Sequence, residues 1–483
     1  MTSNAGSVTA VDESVSDLAV EQQEQQLRKR AMQDPAVRAL IGSRLASVLG
    51  IATLTYGAMI YLAAVGAPQI VISLTGATRY LAALLFGIGG GALADAMSKR
   101  TAMVTAYILQ AAACFIIPTI WGTEIWSLIV LIFVVSMLGQ IVTPAVKAAT
   151  ALVTSAAQVA VVAAIISVAG GIGSALGTSI LAPLLINFGT LQLLAYVSGI
   201  VLAFGAIRAM RVPPEMETAS LTRAARTTDW RKSVPTLRNT AEWLLANRKV
   251  GAMLLVGSIV VALFDGLNTL MPVYVRDVLE ADPTATVYIL APGGIGFLVG
   301  TALGPWLMDR RGERALGVMA LMFLSLGFIL FGLIELVAPI LAPFSPLRLL
   351  ALFGISLSPE IEAAGLISIL TAIGSTSAGA AVQTYVNRYI ILARQASTFG
   401  MQEVLDNALT LFAVLVLGVL ATVLGSKLVF IIAPPLIVGI VIWLIRVCFR
   451  VSEQDPPQAR AVLHALLRTD REGATPSQDV NAA

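Results

Sequence analysis

The sequence predicts an all-α polytopic membrane protein in which twelve transmembrane helices form two halves of six. Of the 483 residues, 57% are hydrophobic and only 12% are charged, whereas a soluble domain carries about 25% charged residues. Apolar runs of about 20 residues, each long enough to cross roughly 30 Å of hydrocarbon, recur between Leu45 and Val447. One polar, arginine-rich stretch interrupts them, with six runs before it and six after it.

The first half is expected to follow a polar tail. Residues 1–43 are predicted to form a cytosolic tail. They are not interpreted as a cleavable signal peptide, because no short apolar segment with a small-residue cleavage site follows them. Residues 44–210 are predicted to form the amino-terminal half. Its six predicted spans are Leu45–Ala64, Gln69–Ala94, Ala102–Ile120, Trp126–Ala148, Val159–Ile186 and Leu191–Ala209.

Residues 211–249 are predicted to be a cytosolic central loop. Its later part, Pro235–Asn247, has the pattern of a short amphipathic helix. Such a helix would lay Trp243, Leu244 and Leu245 on the membrane surface.

Residues 250–450 repeat the scheme as a carboxyl-terminal half. The apolar run Leu347–Leu357 is too short to cross and is predicted to lie at the interface. Residues 451–483 are predicted to form a polar cytosolic tail. The six predicted spans are Ala252–Tyr274, Val287–Leu307, Leu316–Val337, Ala364–Val386, Phe399–Leu424 and Leu428–Val447.

The distribution of lysine and arginine predicts the orientation. Most basic residues outside the spans fall in the two tails, the central loop and the turns on the same side. The opposite side has only Arg276, Arg348 and Lys427 in its loops. Because cytosolic loops carry the excess of lysine and arginine, both termini are predicted to be cytosolic. The expected location is the plasma or inner membrane of the cell.

Several classes of function find no support in the chain. The phosphate-binding pattern G-x-x-x-x-G-K-[ST] is absent from the sequence. The single histidine, His464, lies in the tail, and neither H-E-x-x-H nor G-x-S-x-G occurs, so an enzyme is not expected. Cys114 and Cys448 are interpreted as packing residues. No cofactor, metal site or nucleic-acid partner is expected.

Two related turns organise the two halves. The glycine-rich run that starts at Gly87 ends at Asp95 and becomes basic, and a second turn carries the same pattern around Asp309. Both turns have leucine two residues before the aspartate and arginine five residues after it. The residues that carry the pattern are Gly91, Asp95, Lys99, Arg100, Asp309, Arg310, Gly312 and Arg314.

These turns resemble the loop signature G-x-L-a-D-r-x-G-r-k of the major facilitator superfamily. The first copy has Ala96 and Ser98 where that family has arginine and glycine, and the second has Pro305 in the first glycine position. Gly173-x-x-x-Gly177 is similar to the family's antiporter motif, with Thr178 in place of proline. Met271–Leu279 resembles bacterial exporter-type members, and Gln402 with Asp406 and Asn407 resembles the lysophospholipid-transporter branch.

The resemblance implies a secondary transporter with alternating access and two cytosolic gates. It implies that Asp95 meets the helix that begins near Ser397, and that Asp309 meets the helix that begins near Gln158. A helix stop with a solvated carboxylate is the alternative for each. An aspartate at the carboxyl end of a helix opposes the helix dipole, so a positive partner is needed in the gate interpretation.

Glycines four residues apart suggest close helix packing, because small residues let helix backbones approach. The sets with this spacing are Gly87 and Gly91, Gly173 and Gly177, and Gly296, Gly300 and Gly304.

Charged and polar residues inside the spans are the candidates for a proton-coupling or substrate site, since each is costly in hydrocarbon. Asp265 has Asn268 on the same helix face, and the pair either faces a cavity or bridges to a neighbouring helix. Arg79 could bind an anionic group, pair with Asp265 or snorkel to the outer surface. Glu403 and Asp406 are predicted near the start of a span, where the helix dipole would stabilise them.

The function expected from these features is proton-coupled export of a small amphipathic compound by a monomer in the lipid bilayer. Translocation of a lipid or lysolipid is the alternative on the same fold. A membrane sensor that does not transport is a further alternative, which the polar tails suggest.

Overall fold

The computed structural model describes residue 29 and residues 32–122, 124–154, 158–213, 239–390 and 392–449. These residues are almost entirely helical and contain no strand. Among them, twelve helices are long and apolar enough to cross a membrane. The predicted all-α fold with twelve spans is therefore confirmed.

The first six spans are built from helices α1 to α7, because the fifth span is divided. A one-turn π-helix, Gly177–Leu181, separates its two α-helical parts. The helices are α1 Pro35–Ala64, α2 Gln69–Ala96, α3 Lys99–Trp121, α4 Ile125–Val153, α5 Val159–Leu176, α6 Ala182–Phe188 and α7 Leu191–Met210.

Helices α8 to α14 form the second half, in which α10 contains two of the six spans and the short α11 lies outside them. Short 3₁₀ turns at Pro283–Ala285, Ala342–Phe344 and Pro346–Phe353 lie between them. The helices are α8 Arg248–Asn268, α9 Met271–Asp277, α10 Thr286–Gly332, α11 Ile334–Leu341, α12 Pro359–Tyr389, α13 Leu392–Leu424 and α14 Ser426–Phe449.

Helix α1 starts at Pro35, well before the predicted start of its span at Leu45. Asp34 accepts a hydrogen bond from the Ala36 amide at 2.7 Å, and a proline in the first turn suits a helix start. Leu40 is fully buried in a hydrophobic cluster of this region. The predicted tail border at residue 43 thus falls inside α1, because hydropathy detects the apolar run and not the capped extension.

The described residues divide into two compact units. The first contains those up to Gly57 and those between Leu85 and Trp230, and the second contains Ala58–Leu84 and those from Arg231 onward. The core of the first unit includes Tyr107, whose hydroxyl donates to the Ser43 carbonyl oxygen at 3.3 Å.

The core of the second unit is built around aromatic rings. Phe328 and Phe430 stack with centroids 5.7 Å apart, and Tyr274 meets Phe430 edge to face at 5.0 Å. The Tyr274 hydroxyl donates to the Phe331 carbonyl oxygen at 2.7 Å. These contacts join α9, α10 and α14, and buried residues of α8 pack in the same core.

Close glycine packing is confirmed for four of the predicted positions. A Cβ atom at Gly173 would lie 2.8 Å from the Leu45 carbonyl oxygen, and one at Gly177 would lie 2.8 Å from that of Leu49. In the second unit, a Cβ atom at Gly296 of α10 would collide with the Ile369 carbonyl oxygen of α12, and one at Gly300 would collide with the Thr376 side chain of the same helix.

The prediction is wrong for Gly87 and Gly91. A Cβ atom at Gly91 would meet no neighbour, and one at Gly87 would make only an ordinary contact with Gln140 at 3.8 Å. Gly90 makes the close approach instead, 2.7 Å from the Gln140 backbone. Gly304 likewise makes only an ordinary contact, because a Cβ atom there would lie 3.7 Å from Ala380.

The central amphipathic helix packs differently from the prediction. Residues 239–246 are helical, but Leu244 is buried in a cluster of the second unit and Trp243 packs against the same cluster. The Arg394 guanidinium lies 5.0 Å from the Trp243 ring. Only Leu245, which is 77% exposed, has the environment predicted for a membrane-facing residue. The prediction of a shared membrane face is wrong, because Leu244 belongs to the protein core.

The short apolar run after α11 forms the 3₁₀ helix Pro346–Phe353. It is bent by 65° from the preceding segment Ile334–Phe344. Leu349 and Leu352 are exposed on it. Its position at a membrane interface stays a prediction.

Candidate functional site

The first sequence-predicted turn joins α2 to α3. Ser98 caps α3 by accepting a hydrogen bond from the Thr101 amide at 3.2 Å. Lys99 donates to the Ala94 carbonyl oxygen at 2.9 Å, and a cation there offsets the negative end of the helix dipole. Ser98 has φ −61° and ψ 139°, which needs no glycine, so the departure from the family pattern fits the local backbone.

The second turn lies inside α10, where Gly312 has φ 80° and ψ 161° and separates two helical parts. A positive φ favours glycine, which has no Cβ atom. Arg310 lies 4.1 Å over the ring of Trp306, and both residues are exposed. The side chains of Asp95, Asp309 and Arg314 lie outside the described part of the structure. The gate contacts implied for the two aspartates stay predictions.

A charged cluster joins α2 and α8 within the second unit. Arg79 Nη2 donates to Asp265 Oδ2 at 3.2 Å, and the Tyr80 hydroxyl donates to the same oxygen at 2.6 Å. Arg79 also contacts the Tyr80 hydroxyl. One carboxylate oxygen therefore receives two donors from consecutive residues of a neighbouring helix.

The surrounding helices fix this geometry through close contacts. A Cβ atom at Gly76 would lie 3.0 Å from the Thr269 methyl group, so α2 and α8 approach closely beside the cluster. Beyond α8, Arg276 donates to the Ala63 carbonyl oxygen at 3.0 Å. Tyr80 and Ala77 pack on Val414 of α13, so three helices meet at the cluster.

The depth of Arg79 excludes the surface-snorkelling alternative. α2 begins at Gln69, which places Arg79 about 15 Å along the helix, near the middle of a span. The side chain points to Asp265 rather than to a helix end. The Arg79 and Asp265 side chains are still 38% and 26% exposed. The ion pair is therefore accessible from one side and not sealed in the core.

Asp406 is near this cluster on α13 but has a different environment. The Asp406 carboxyl interacts electrostatically with the Ser258 hydroxyl and with the carboxylates of Asp265 and Glu403. Among the described residues, its Oδ1 atom is buried without a hydrogen-bond partner. No described residue of opposite charge pairs with Asp406.

The helix-dipole explanation for Asp406 and Glu403 is wrong. α13 begins at Leu392, so Asp406 lies about four turns after the helix start. The dipole acts only within the first turn and does not reach it. Glu403 is exposed one turn before Asp406, and Asn268 is half-buried at the end of α8.

Comparison with known proteins identifies the family to which this fold belongs. The sequence matches the Major Facilitator Superfamily over residues 40–360, more than half of the chain. The chain belongs to the major facilitator superfamily. A search of curated protein sequences finds no match.

Solved structures of superfamily transporters share the fold of this superfamily member. The nucleoside transporter NupG is 14% identical with a TM-score of 0.64, covering 87% of this chain and 100% of NupG. A bacterial homologue of the human lysosomal transporter Spinster is 12% identical with a TM-score of 0.60, covering 88% and 99%. The D-xylose–proton symporter is 13% identical with a TM-score of 0.59, covering 83% and 96%. At these identities the likeness shows the fold alone.

The superfamily member is therefore a multi-pass membrane protein with a transporter fold, and its family and structural neighbours are those of a transporter and not of an enzyme. The sequence predicts only part of its charged cluster. The pairing of Arg79 with Asp265 was one of three alternatives for Arg79. Tyr80 was missed, although its position next to Arg79 was a usable signal.

Two further side chains of this superfamily member were missed in the sequence. Ser258 lies seven residues before Asp265, which is two turns and the same helix face. Thr410 lies four residues after Asp406, also on one face. Hydroxyl residues are common in membrane helices, so neither position was conspicuous.

Proposed function

We propose that this protein is a secondary active transporter that exports a small amphipathic compound in exchange for protons by alternating access. It acts as a monomer in the plasma or inner membrane with both termini in the cytosol. The two six-helix halves, residues 44–210 and 250–450, move relative to each other in the transport cycle.

The pairing of Arg79 with Asp265 carries this proposal. The carboxylate neutralises an arginine near the middle of a span, where an unpaired charge is costly. A proton on Asp265 would remove this neutralisation and leave the guanidinium unpaired. Binding a proton therefore favours a different arrangement of α2 and α8, which is what coupling between an ion and a conformational change requires.

An amphipathic cargo suits the residues around the ion pair. Ala77, Tyr80 and Val414 form a buried apolar cluster beside the two charges, and the partly buried Leu411 and Leu415 pack against it. A compound with one polar end and one apolar end could contact Leu411 and Leu415 together with the partly exposed ion pair. The resemblance of Met271–Leu279 to exporter-type members supports the outward direction.

Inverted membrane vesicles that contain the full chain test proton coupling. A cationic dye identified by a substrate screen in an efflux-deficient strain is the probe, and a pH gradient drives its uptake. Asp265→Asn is expected to abolish the gradient-driven part of uptake, because the amide cannot carry the proton. Asp277→Asn is the matched control, since Asp277 is an exposed aspartate that pairs with its neighbour Arg276. Undiminished gradient-driven uptake in Asp265→Asn would contradict the proposal.

Lysolipid translocation is the second candidate, supported by the resemblance of Gln402, Asp406 and Asn407 to the lysophospholipid-transporter branch. Proteoliposomes loaded separately with the dye and with a fluorescent lysolipid distinguish the two cargoes. Transport of the lysolipid alone would replace the export of a small compound with lipid translocation.

A further inference from the structure

Asp406, Ser258 and Thr410 present oxygen atoms without protein partners between α8 and α13. The Ser258 and Thr410 residues are fully buried, at 0% exposure. The atoms Asp406 Oδ1, Ser258 Oγ and Thr410 Oγ1 are buried and make no hydrogen bond with any residue that the structure describes. Buried polar atoms are normally satisfied by protein, water or an ion.

The Thr410 hydroxyl lacks the hydrogen bond to the preceding turn that other threonines of the same helix make. On the same helix, Thr398 donates to the Arg394 carbonyl oxygen at 2.9 Å and Thr422 donates to that of Gly418 at 2.8 Å. Helical threonines commonly make this bond to the preceding turn. Thr410 lacks it, so its oxygen is available to another group.

Three observations relate these side chains in the fold. Ser258 on α8 is an electrostatic neighbour of the Asp406 carboxyl. Thr410 lies one turn after Asp406, on the same face of α13. The two helices pack against each other within the second unit. Two packed helices therefore contribute one carboxylate and two hydroxyl groups to the same region of the second unit.

The charges of the site indicate a monovalent cation. Arg79 already neutralises Asp265, which is the other carboxylate on the facing helix. Glu403 is exposed at one side. Asp406 thus leaves one negative charge that no described residue balances. A single positive charge would balance it, whereas a divalent ion would leave a positive excess.

We propose that Asp406, Ser258 and Thr410 form a sodium-ion site, separate from the Arg79–Asp265 pair. Oxygen atoms of carboxylates and hydroxyls are the ligands that hard cations prefer. One ion can be coordinated by all three oxygen atoms at once.

Binding of radioactive sodium to the purified full-length protein in detergent tests the site, with choline as the replacement cation. We expect saturable binding of one ion. Asp406→Asn is expected to abolish it, and Thr410→Val to weaken it about tenfold, or ~1.4 kcal/mol. Thr398→Val is the matched control on the same helix and is expected to bind sodium as the unchanged protein does. Thermal unfolding of each variant shows that it is folded.

Three results would overturn the sodium site. The first is the absence of saturable sodium binding in the unchanged protein. The second is equal sodium affinity in Thr410→Val, Ser258→Ala and the control. The third is proton uptake that depends on Asp406 but does not respond to sodium. Because the assay measures ion binding and not transport, its failure is distinguishable from the failure of proton-coupled export.

Discussion

Asp265 and Asp406 are two membrane aspartates on packed helices, and they differ in what surrounds them. Asp265 receives an arginine and a tyrosine on a single oxygen atom. Asp406 has no cationic partner among the described residues and is surrounded by hydroxyl groups and other carboxylates. The difference shows that two membrane carboxylates on packed helices can have opposite environments, one with donors on a single oxygen atom and one with an oxygen atom that has no described partner.

Removal of Arg79 is expected to have the largest effect. Arg79→Met leaves Asp265 charged and unpaired inside the membrane, and we expect a loss of about 2 kcal/mol in stability together with loss of transport. This figure is below that of a sealed ion pair because both side chains are partly exposed. Thermal unfolding in detergent and dye uptake measure the two effects.

A charge-neutral double variant sharpens this prediction. Arg79→Met combined with Asp265→Asn removes both charges and is expected to recover most of the lost stability. Equal stability of the single and double variants would show that the two residues do not interact. Asp265 would then lack a stabilising cationic partner, as Asp406 does.

Loss of the Tyr80 hydroxyl is expected to have an intermediate effect. Tyr80→Phe removes one donor to Asp265 but keeps the ring on Val414, so we expect a loss of about 1 kcal/mol in stability. Tyr56→Phe is the control, because the Tyr56 hydroxyl is buried without a partner among the described residues. A loss as large in Tyr56→Phe as in Tyr80→Phe would contradict the role of the hydrogen bond.

The smallest effect on stability is expected at Thr410, one turn after the unpaired Asp406. In sodium-free buffer, Thr410→Val should change the stability by less than about 1 kcal/mol or raise it, because removing an unsatisfied buried hydroxyl costs nothing. In sodium the same variant should lose the stabilisation that the ion gives to the unchanged protein. Thermal unfolding with sodium and with choline measures this difference. If sodium stabilises Thr410→Val as much as the unchanged protein, Asp406 would not differ from Asp265 by being part of an ion site.

The spans could be predicted from the sequence because each is an apolar run bounded by polar residues. The start of α1 could not, since Asp34 and Pro35 extend the helix beyond its apolar part. Leu244 was placed on a membrane surface because an amphipathic pattern does not show whether lipid or protein covers the apolar face.

The candidate site was predicted in part. Charges inside apolar runs are conspicuous, so Arg79, Asp265 and Asp406 were all identified. Their different environments depend on helix rotation and on neighbours distant in sequence. The free hydroxyl of Thr410 can be recognised only when its missing bond is compared with that of other threonines.

The π-helix at Gly177–Leu181 has a consequence for sequence comparison. A π turn accommodates one more residue than an α turn, and one residue rotates a helix by about 100°. Side chains after Leu181, such as the buried Ala182 and Pro183, therefore keep a different phase from those before Gly177. An alignment with a relative whose fifth span is uniformly α-helical needs a one-residue gap inside this turn. Without that gap, an alignment anchored on the antiporter motif compares the residues after Leu181 with positions on the wrong side of the helix.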